Sequence, residues 1–171
     1  IEILHISQYM ERLIREGKLK PRKDVPMTVT YHDPCHLGRL AEPWVHWKGK
    51  EVKVMGQYIS HDPPKDFRRG ANGVYEPPRN VIKSIPGMTL VEMDRTREYA
   101  LCCGVGGGVK EAYPDFALWT ADARLRESES TGAEAIVTSC PHCVHNLKEA
   151  IDEKGHKIKV YNILDLVDQS I

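Results

Sequence analysis

The chain of 171 residues lacks an excess of either charge and lacks any long apolar run. Its 24 Lys and Arg residues balance its 24 Asp and Glu residues. This balance argues against nucleic acid as a partner, because nucleic-acid-binding domains carry a basic surface. No segment approaches the roughly 18 to 20 apolar residues of a membrane-spanning helix, and no secretory signal opens the chain. We therefore expect a cytoplasmic protein with no transmembrane segment of its own.

Disorder is excluded by composition, since 41% of the residues are hydrophobic and can form a core. The length indicates one domain, which we place at 1–171. The first residue is Ile1 and not methionine. We therefore expect this chain to be the carboxyl part of a longer polypeptide.

The five cysteines are the most informative residues. They stand as Cys35, the adjacent pair Cys102 and Cys103, and a CxxC motif formed by Cys140 and Cys143. In a chain without secretory features, grouped thiolates predict a soft metal or an iron-sulfur cluster before they predict disulfides. The pattern leaves no cysteine over, so the question becomes which metal centre they hold.

Apolar periodicity predicts strands that alternate with helices. The predicted strands are 27–31, 89–93, 134–138 and 157–161. The predicted helices are an N-terminal one ending near Gly17 and further ones at 80–85, 114–130, 141–154 and 164–167. Alternation of this kind indicates an α/β fold with a mostly parallel sheet and flanking helices. The cysteines are then expected in loops at strand ends, a common place for a site.

Two of these helices show an apolar face from which burial can be predicted. For the N-terminal helix the predicted buried residues are Ile3, Ile6, Met10 and Leu13. For helix 114–130 they are Phe116, Leu118, Trp119, Ala123 and Leu125.

Residues 42–73 interrupt this rhythm and are interpreted as an insertion. The segment contains Trp44 and Trp47 and a hairpin that we expect to turn through residues 48–50 into 52–59. The two tryptophans are interpreted either as a small satellite core under the hairpin or as a docking surface for a partner.

The local sequence around the cysteines favours metal binding. A CxxC motif at a helix start brings two sulfurs to one turn, where free N–H groups stabilise thiolates. Adjacent cysteines require an irregular backbone, which Gly104, Gly106 and Gly107 supply while letting the chain approach a cofactor. We therefore expect these glycines to be cofactor-binding residues.

Rival interpretations remain for the same residues. Four of the five sulfurs satisfy tetrahedral zinc, which would make the chain a zinc-stabilised binding module without a redox role. The CxxC motif also resembles a thioredoxin-like redox centre, but too few residues follow it to complete that fold, and none of them is proline. Four histidines near the cysteines are interpreted as ligands, proton relays or ordinary residues: His32, His36, His142 and His145.

Four sequence segments together resemble the cysteine-rich CCG domain. They are His32-Asp33-Pro34-Cys35-His36-Leu37-Gly38-Arg39, Val74-Tyr75-Glu76-Pro77-Pro78-Arg79, Cys102-Cys103-Gly104 and Ser139-Cys140-Pro141-His142-Cys143. This domain occurs in the catalytic subunit of heterodisulfide reductase and in iron-sulfur subunits of glycolate, lactate and anaerobic glycerol-3-phosphate oxidation. The resemblance implies that all five cysteines hold a noncubane [4Fe-4S] cluster.

The chain departs from the family pattern in two ways. The 66 residues between Cys35 and Cys102 exceed the family's usual gap, and the excess falls in residues 42–73. Only one five-cysteine motif is present, whereas disulfide cleavage in the family is thought to use two clusters. The resemblance therefore implies an electron-transfer module more directly than a complete catalyst.

The predicted function is that of an iron-sulfur subunit in an oxidoreductase complex. Its expected partners are an iron-sulfur or flavin protein, with a membrane-bound subunit as a further option that would place it at the cytoplasmic face of a membrane complex. Its expected acceptors are a thiol-disulfide couple, a quinone or a partner protein. If a disulfide is reduced, the candidate proton donors are His36, His142 and Lys110.

Overall fold

The computed structural model describes residues 1–171 as a parallel β-sheet with helices on both faces. In chain order the elements are α1 Ile6–Arg15, β1 Met27–His32, β2 Lys50–Val54, β3 Tyr58–Asp62, α2 Glu76–Lys83, β4 Met88–Leu90, a 3₁₀ turn Arg97–Tyr99, α3 Val109–Ala112, α4 Pro114–Glu129, β5 Ala135–Thr138, α5 Pro141–Lys154, β6 Lys159–Asn162 and α6 Ile163–Ser170.

The main sheet has the strand order β4-β1-β5-β6, and every neighbouring pair in it is parallel. Successive side chains along β1 and β5 point to opposite faces of the sheet and are buried on both. Val137 packs with α1, α2 and α6 in one core, whereas Ile136 packs with α4 and α5 in the other. The predicted α/β class with a mostly parallel sheet is confirmed.

Several helix boundaries follow the sequence signals, although α2 begins at Glu76, four residues before the predicted start, and α3 was not predicted. Proline stands at the start of α4 and α5, where its missing N–H has no helical partner to lose. Helix α5 ends at Gly155, whose φ of 72° is the left-handed conformation of a helix terminus. At the N-terminus, α1 begins only at Ile6, so the predicted burial of Ile3 and Ile6 is wrong, since they are 91% and 41% exposed, whereas Met10 is buried as predicted.

The predicted buried face of α4 is also wrong in part. Phe116 and Trp119 stack on each other in solvent at 55% and 63% exposure. The helix instead buries a face that includes Ala117, Ala121 and Arg124. Apolar periodicity missed this face because a buried arginine with hydrogen-bonding partners occupies a position that a hydrophobic residue was expected to fill.

The segment 42–73 carries β2 and β3, which form a separate antiparallel hairpin outside the main sheet. Its turn lies at residues 55–57, where Met55 and Gly56 have positive φ angles, and not at the predicted residues 48–50. Trp44 is 67% exposed and forms no satellite core. The ring of Trp47 is half-buried and packs edge-on against His61, with 5.0 Å between centroids.

Candidate metal centre

The carboxyl edge of the main sheet gathers the cysteine-bearing loops. His32 and Thr138 are register partners at the ends of β1 and β5. Cys35 follows the first strand by three residues and Cys140 follows the second by two. Because neighbouring parallel strands end at the same edge, residues far apart in sequence meet there.

All five thiols are gathered at this edge of the sheet. The Sγ atoms of Cys103 and Cys143 lie 3.0 Å apart, and both side chains are buried. The pKa of Cys102 is influenced by Cys103 and Cys35, and that of Cys140 by Cys143, so the other three thiols lie near this pair. None of the five is in a disulfide. The structure therefore brings together every predicted cysteine ligand.

A cavity of about 340 Å³ adjoins these sulfurs. It is lined by Cys35, Cys103, Cys140 and Cys143 and by residues of the loop that follows Cys103, among others. One water needs only about 10 to 15 Å³ of such space, so the cavity is much larger than a single small molecule or ion requires. The donor set and the room beside it therefore fit a multi-atom iron-sulfur core better than a single ion.

The thiols perturb one another's ionisation strongly. The Cys143 thiol donates to Cys140, and the N–H groups of Cys143 and His142 add to this at the start of α5, which lowers the pKa of Cys140 to about 5. Hydrogen bonds from Cys103 and Cys35 hold the pKa of Cys102 far below its ordinary value. The pKa of Cys143 is raised, because it lies against the sulfurs of Cys103 and Cys140 and because burial disfavours its charged form. Bound metal cations would replace the protons that the neighbouring sulfurs share and would stabilise all the thiolates together.

The three predicted cofactor-binding glycines differ in what they do. Gly104 has a φ of 91°, donates its N–H to Cys102 Sγ at 3.3 Å, and leaves no room for a side chain, because a Cβ would lie 2.4 Å from the Ala117 carbonyl oxygen. Gly106 and Gly107 line the cavity, and a Cβ on either would meet open space. Gly104 therefore shapes the loop, whereas the other two keep the cavity open.

The loop that leads to Cys35 is fixed by a buried ion network. The Asp33 carboxylate accepts from both terminal nitrogens of Arg79 at 2.6 and 2.9 Å and from the Arg97 backbone N–H at 2.8 Å. The Arg79 Nε also donates to Glu92 at 2.6 Å. Asp33 and Arg79 both lie in the segments that resemble the family, but no role was predicted for them. The sequence feature that could have identified them is a charged residue next to a proline in each segment, Asp33 before Pro34 and Arg79 after Pro78.

Asn146 fixes the backbone on the opposite side of the centre. Its fully buried amide donates to the Cys103 carbonyl oxygen at 2.6 Å and accepts from Lys110 Nζ at 3.0 Å. Lys110 also forms an ion pair with Glu149 on α5. The predicted proton donor Lys110 is thus not among the cavity-lining residues.

The four histidines near the cysteines occupy three different environments. His36 and His142 are exposed and line the cavity, together with Glu111, which sequence reasoning did not select. His145 lies outside the cavity, and its side chain is 73% exposed. His32 is fully buried, and one of its ring nitrogens lies within 4.8 Å of the sulfurs of Cys103 and Cys143.

Burial and the neighbouring Arg124 guanidinium lower the pKa of His32 to about 3, so its imidazole is neutral at physiological pH.

The structure contains no helix with both the length and the apolar composition needed to cross a bilayer.

Comparison with known proteins identifies relatives along nearly the whole chain. The chain is 38% identical over 170 residues to one of the subunits of dihydromethanophenazine:CoB–CoM heterodisulfide reductase from Methanosarcina acetivorans, covering 99% of this chain and 34% of that protein. It is 33% identical over 171 residues to one of the subunits of fumarate reductase (CoM/CoB) from Methanothermobacter marburgensis, covering 99% of this chain and 27% of that protein.

A third relative is the probable iron-sulfur-binding oxidoreductase FadF of Bacillus subtilis, 31% identical over 172 residues and covering 99% of this chain and 20% of that protein. The chain thus spans about a third or less of the length of these curated relatives. Residues 61–148, which include four of the five cysteines, match the cysteine-rich domain CCG. The chain therefore belongs to the CCG cysteine-rich domain family.

Proposed function

We propose that this domain holds a noncubane [4Fe-4S] cluster and serves as an electron carrier within an oxidoreductase. The observation that carries the proposal is the gathering of five mutually influencing thiols, two of them with Sγ atoms 3.0 Å apart, beside a cavity of about 340 Å³. The proposed ligands are the thiolates of Cys35, Cys102, Cys103, Cys140 and Cys143. When bound, such a cluster supplies one-electron redox chemistry.

The residues around the sulfurs have roles that follow from their positions. The N–H of Gly104 and the first N–H groups of α5 point to sulfur and reduce the cost of negative charge there. The Asp33–Arg79 pair and Asn146 hold the backbone on either side, so that the thiols meet without further ordering. These supports favour a centre whose geometry changes little between redox states.

The proposed partners are redox subunits that carry an iron-sulfur centre or a flavin, with a membrane-bound subunit among the options. Relatives are named as heterodisulfide reductase, fumarate reductase and EtfAB:quinone oxidoreductase, which supports acceptors such as a disulfide or a quinone for this chain too. Reducing a disulfide to two thiols takes two electrons and two protons. His36 and His142 are the exposed imidazoles at the cavity from which a proton would come.

A serine scan of the five cysteines tests the proposal. Each Cys→Ser variant, Cys103→Ser first, should lose iron, acid-labile sulfide and visible absorbance, because serine replaces a soft thiolate ligand. Ala150→Ser is the matched control, since it places a buried hydroxyl on α5 two turns beyond Cys143. This control should keep its iron.

The scan also separates the cluster from tetrahedral zinc. A zinc site needs four sulfurs, so one of the five variants would bind metal normally, and no variant would contain sulfide. Full iron and sulfide in any one variant would remove that cysteine from the ligand set.

A further inference from the structure

His32 is a buried side chain with one nitrogen that has no hydrogen-bond partner. It is the last residue of β1 and only 1% exposed. Its Nδ1 lies 3.1 Å from Arg124 Nε, whereas its Nε2 is buried without a partner. Buried polar atoms in folded proteins are almost always paired, so an orphaned nitrogen needs an explanation.

Arg124 determines which nitrogen of His32 carries the proton. A guanidinium only donates hydrogen bonds, so the Nδ1 that faces it must offer a lone pair. The proton of the neutral imidazole is then on Nε2. Arg124 cannot easily turn away, because it is fully buried and also donates to Glu127 Oε2 at 2.8 Å and to the Arg95 carbonyl oxygen at 2.9 Å.

This tautomer makes His32 a donor and not a ligand. A histidine that binds metal usually donates a hydrogen bond from its other ring nitrogen, which leaves the ligating nitrogen without a proton. In His32 the arrangement is reversed, since the nitrogen held by Arg124 accepts. The Nε2–H therefore needs an acceptor, and the sulfurs of Cys103 and Cys143 lie within 4.8 Å of a ring nitrogen.

We propose that His32 donates its Nε2–H to the sulfur atoms of the metal centre and thereby raises the reduction potential of that centre. This inference rests on the proposed iron-sulfur function. A hydrogen bond to sulfur stabilises the added negative charge of the reduced state more than it stabilises the oxidised state. His32 is thus a positioning residue that acts on the centre through its sulfur ligands.

Redox titration of the purified protein, followed by electron paramagnetic resonance, tests this role. His32→Leu removes the donor and should change the ratio of reduced to oxidised cluster at a fixed potential at least about tenfold, a downward shift of about 59 mV for one electron. His32→Gln retains an N–H donor and should recover part of the shift. Thr138→Val is the control, since Thr138 is the register partner of His32 and its buried hydroxyl also lacks a partner.

A second measurement leaves His32 unchanged and so does not depend on how well its variants fold. Pulsed electron paramagnetic resonance on protein labelled with ¹⁵N-histidine would be recorded in a His36→Gln, His142→Gln background, which removes the exposed imidazoles at the cavity. A weak nitrogen coupling is expected for a hydrogen bond to sulfur. A strong coupling, typical of a direct ligand, or no coupling at all would overturn the proposal.

The outcomes distinguish this inference from the function on which it rests. Protein without iron and sulfide would overturn the proposed function and the role of His32 together. A normal cluster whose potential is the same in His32→Leu would overturn the role of His32 alone. Loss of iron from a folded His32→Leu variant would make His32 a ligand, contrary to the proposal.

Discussion

The carboxyl edge of the main sheet and the hairpin segment 42–73 differ in how they are held. At the sheet edge, buried side chains from distant elements fix each cysteine loop, as Arg79 does for the loop before Cys35. In the hairpin, every residue of β2 is exposed, and the two strands pair only with each other. The edge is therefore a rigid site, whereas the hairpin is a peripheral surface.

Apart from the pairing of β2 with β3, the hydrogen bonds that hold the hairpin segment are found mainly at its base, where the chain enters and leaves it. The Glu42 carboxylate accepts from the N–H of Gly70 at 2.6 Å and from Asn72, and Arg68 donates to the Leu40 carbonyl oxygen at 2.9 Å. A two-stranded hairpin is marginally stable alone in water. Substitutions beyond this base should thus affect the hairpin and leave the sheet edge unchanged.

The largest expected effect comes from breaking the buried network at the sheet edge. Arg79→Met leaves the Asp33 carboxylate buried with its main partner gone, which should lower the free energy of unfolding by about 3 to 5 kcal/mol. It should also reduce iron content, because the loop that carries Cys35 loses its support. Denaturant unfolding and iron analysis would measure the two effects.

Arg97→Gln is the matched control for this prediction. It removes an exposed pair with Glu76 and keeps the backbone N–H that donates to Asp33. Such surface pairs contribute about 0 to 1 kcal/mol, so stability and iron should change little. Equal losses in the two variants would contradict the view that burial at the sheet edge determines the difference.

A smaller effect is expected at His156, away from the cysteines. Burial tends to lower the pKa of His156, but hydrogen bonds to Glu129 and Asp122 outweigh it and raise the pKa above its ordinary value. The resulting stabilisation is fully present below the unfolded-state pKa of about 6.5 and is lost as pH rises through the raised folded-state value.

The substitution His156→Gln tests this pH dependence. It should cost about 1 kcal/mol at pH 6, where the charged hydrogen bonds are present, and clearly less at pH 9. Urea unfolding at the two pH values measures the difference, with the exposed His145→Gln as the control. A cost that stays constant from pH 6 to pH 9 would show that the charge of His156 does not contribute.

The smallest expected effect is on the hairpin segment. Trp44→Ala removes a large side chain that is 67% exposed, so the free energy of unfolding should change by less than about 0.5 kcal/mol. Iron content should match that of the unsubstituted protein. A large loss of either would mean that the hairpin supports the sheet edge and that the comparison between the two regions is misplaced.

Much of the fold was predictable because strands, proline-led helix starts and glycine ends are local signals. The position of Cys35 and Cys140 just after strands also followed from the alternation of elements, whereas Cys102 and Cys103 lie in a longer loop well beyond β4. The hairpin turn was placed too early, because Gly49 and Gly56 both resemble turn residues and only pairing decides between them.

Other features depend on contacts that no local pattern contains. The buried face of α4 was missed because Arg124 lies in the interior, where it meets His32 from another element. The support that Asn146 gives to Cys103 also joins residues that are 43 positions apart. His32 was recognised as a histidine near cysteines, but its role as a donor depends on the tautomer that Arg124 imposes.

The central claim is that five sulfurs at one sheet edge hold an iron-sulfur cluster. Its most direct test is to measure iron, zinc and acid-labile sulfide per chain in anaerobically purified protein, with electron paramagnetic resonance after mild oxidation and reduction. The account predicts about four irons with matching sulfide and a redox-dependent signal. About one zinc and no sulfide would contradict it and leave a structural zinc domain.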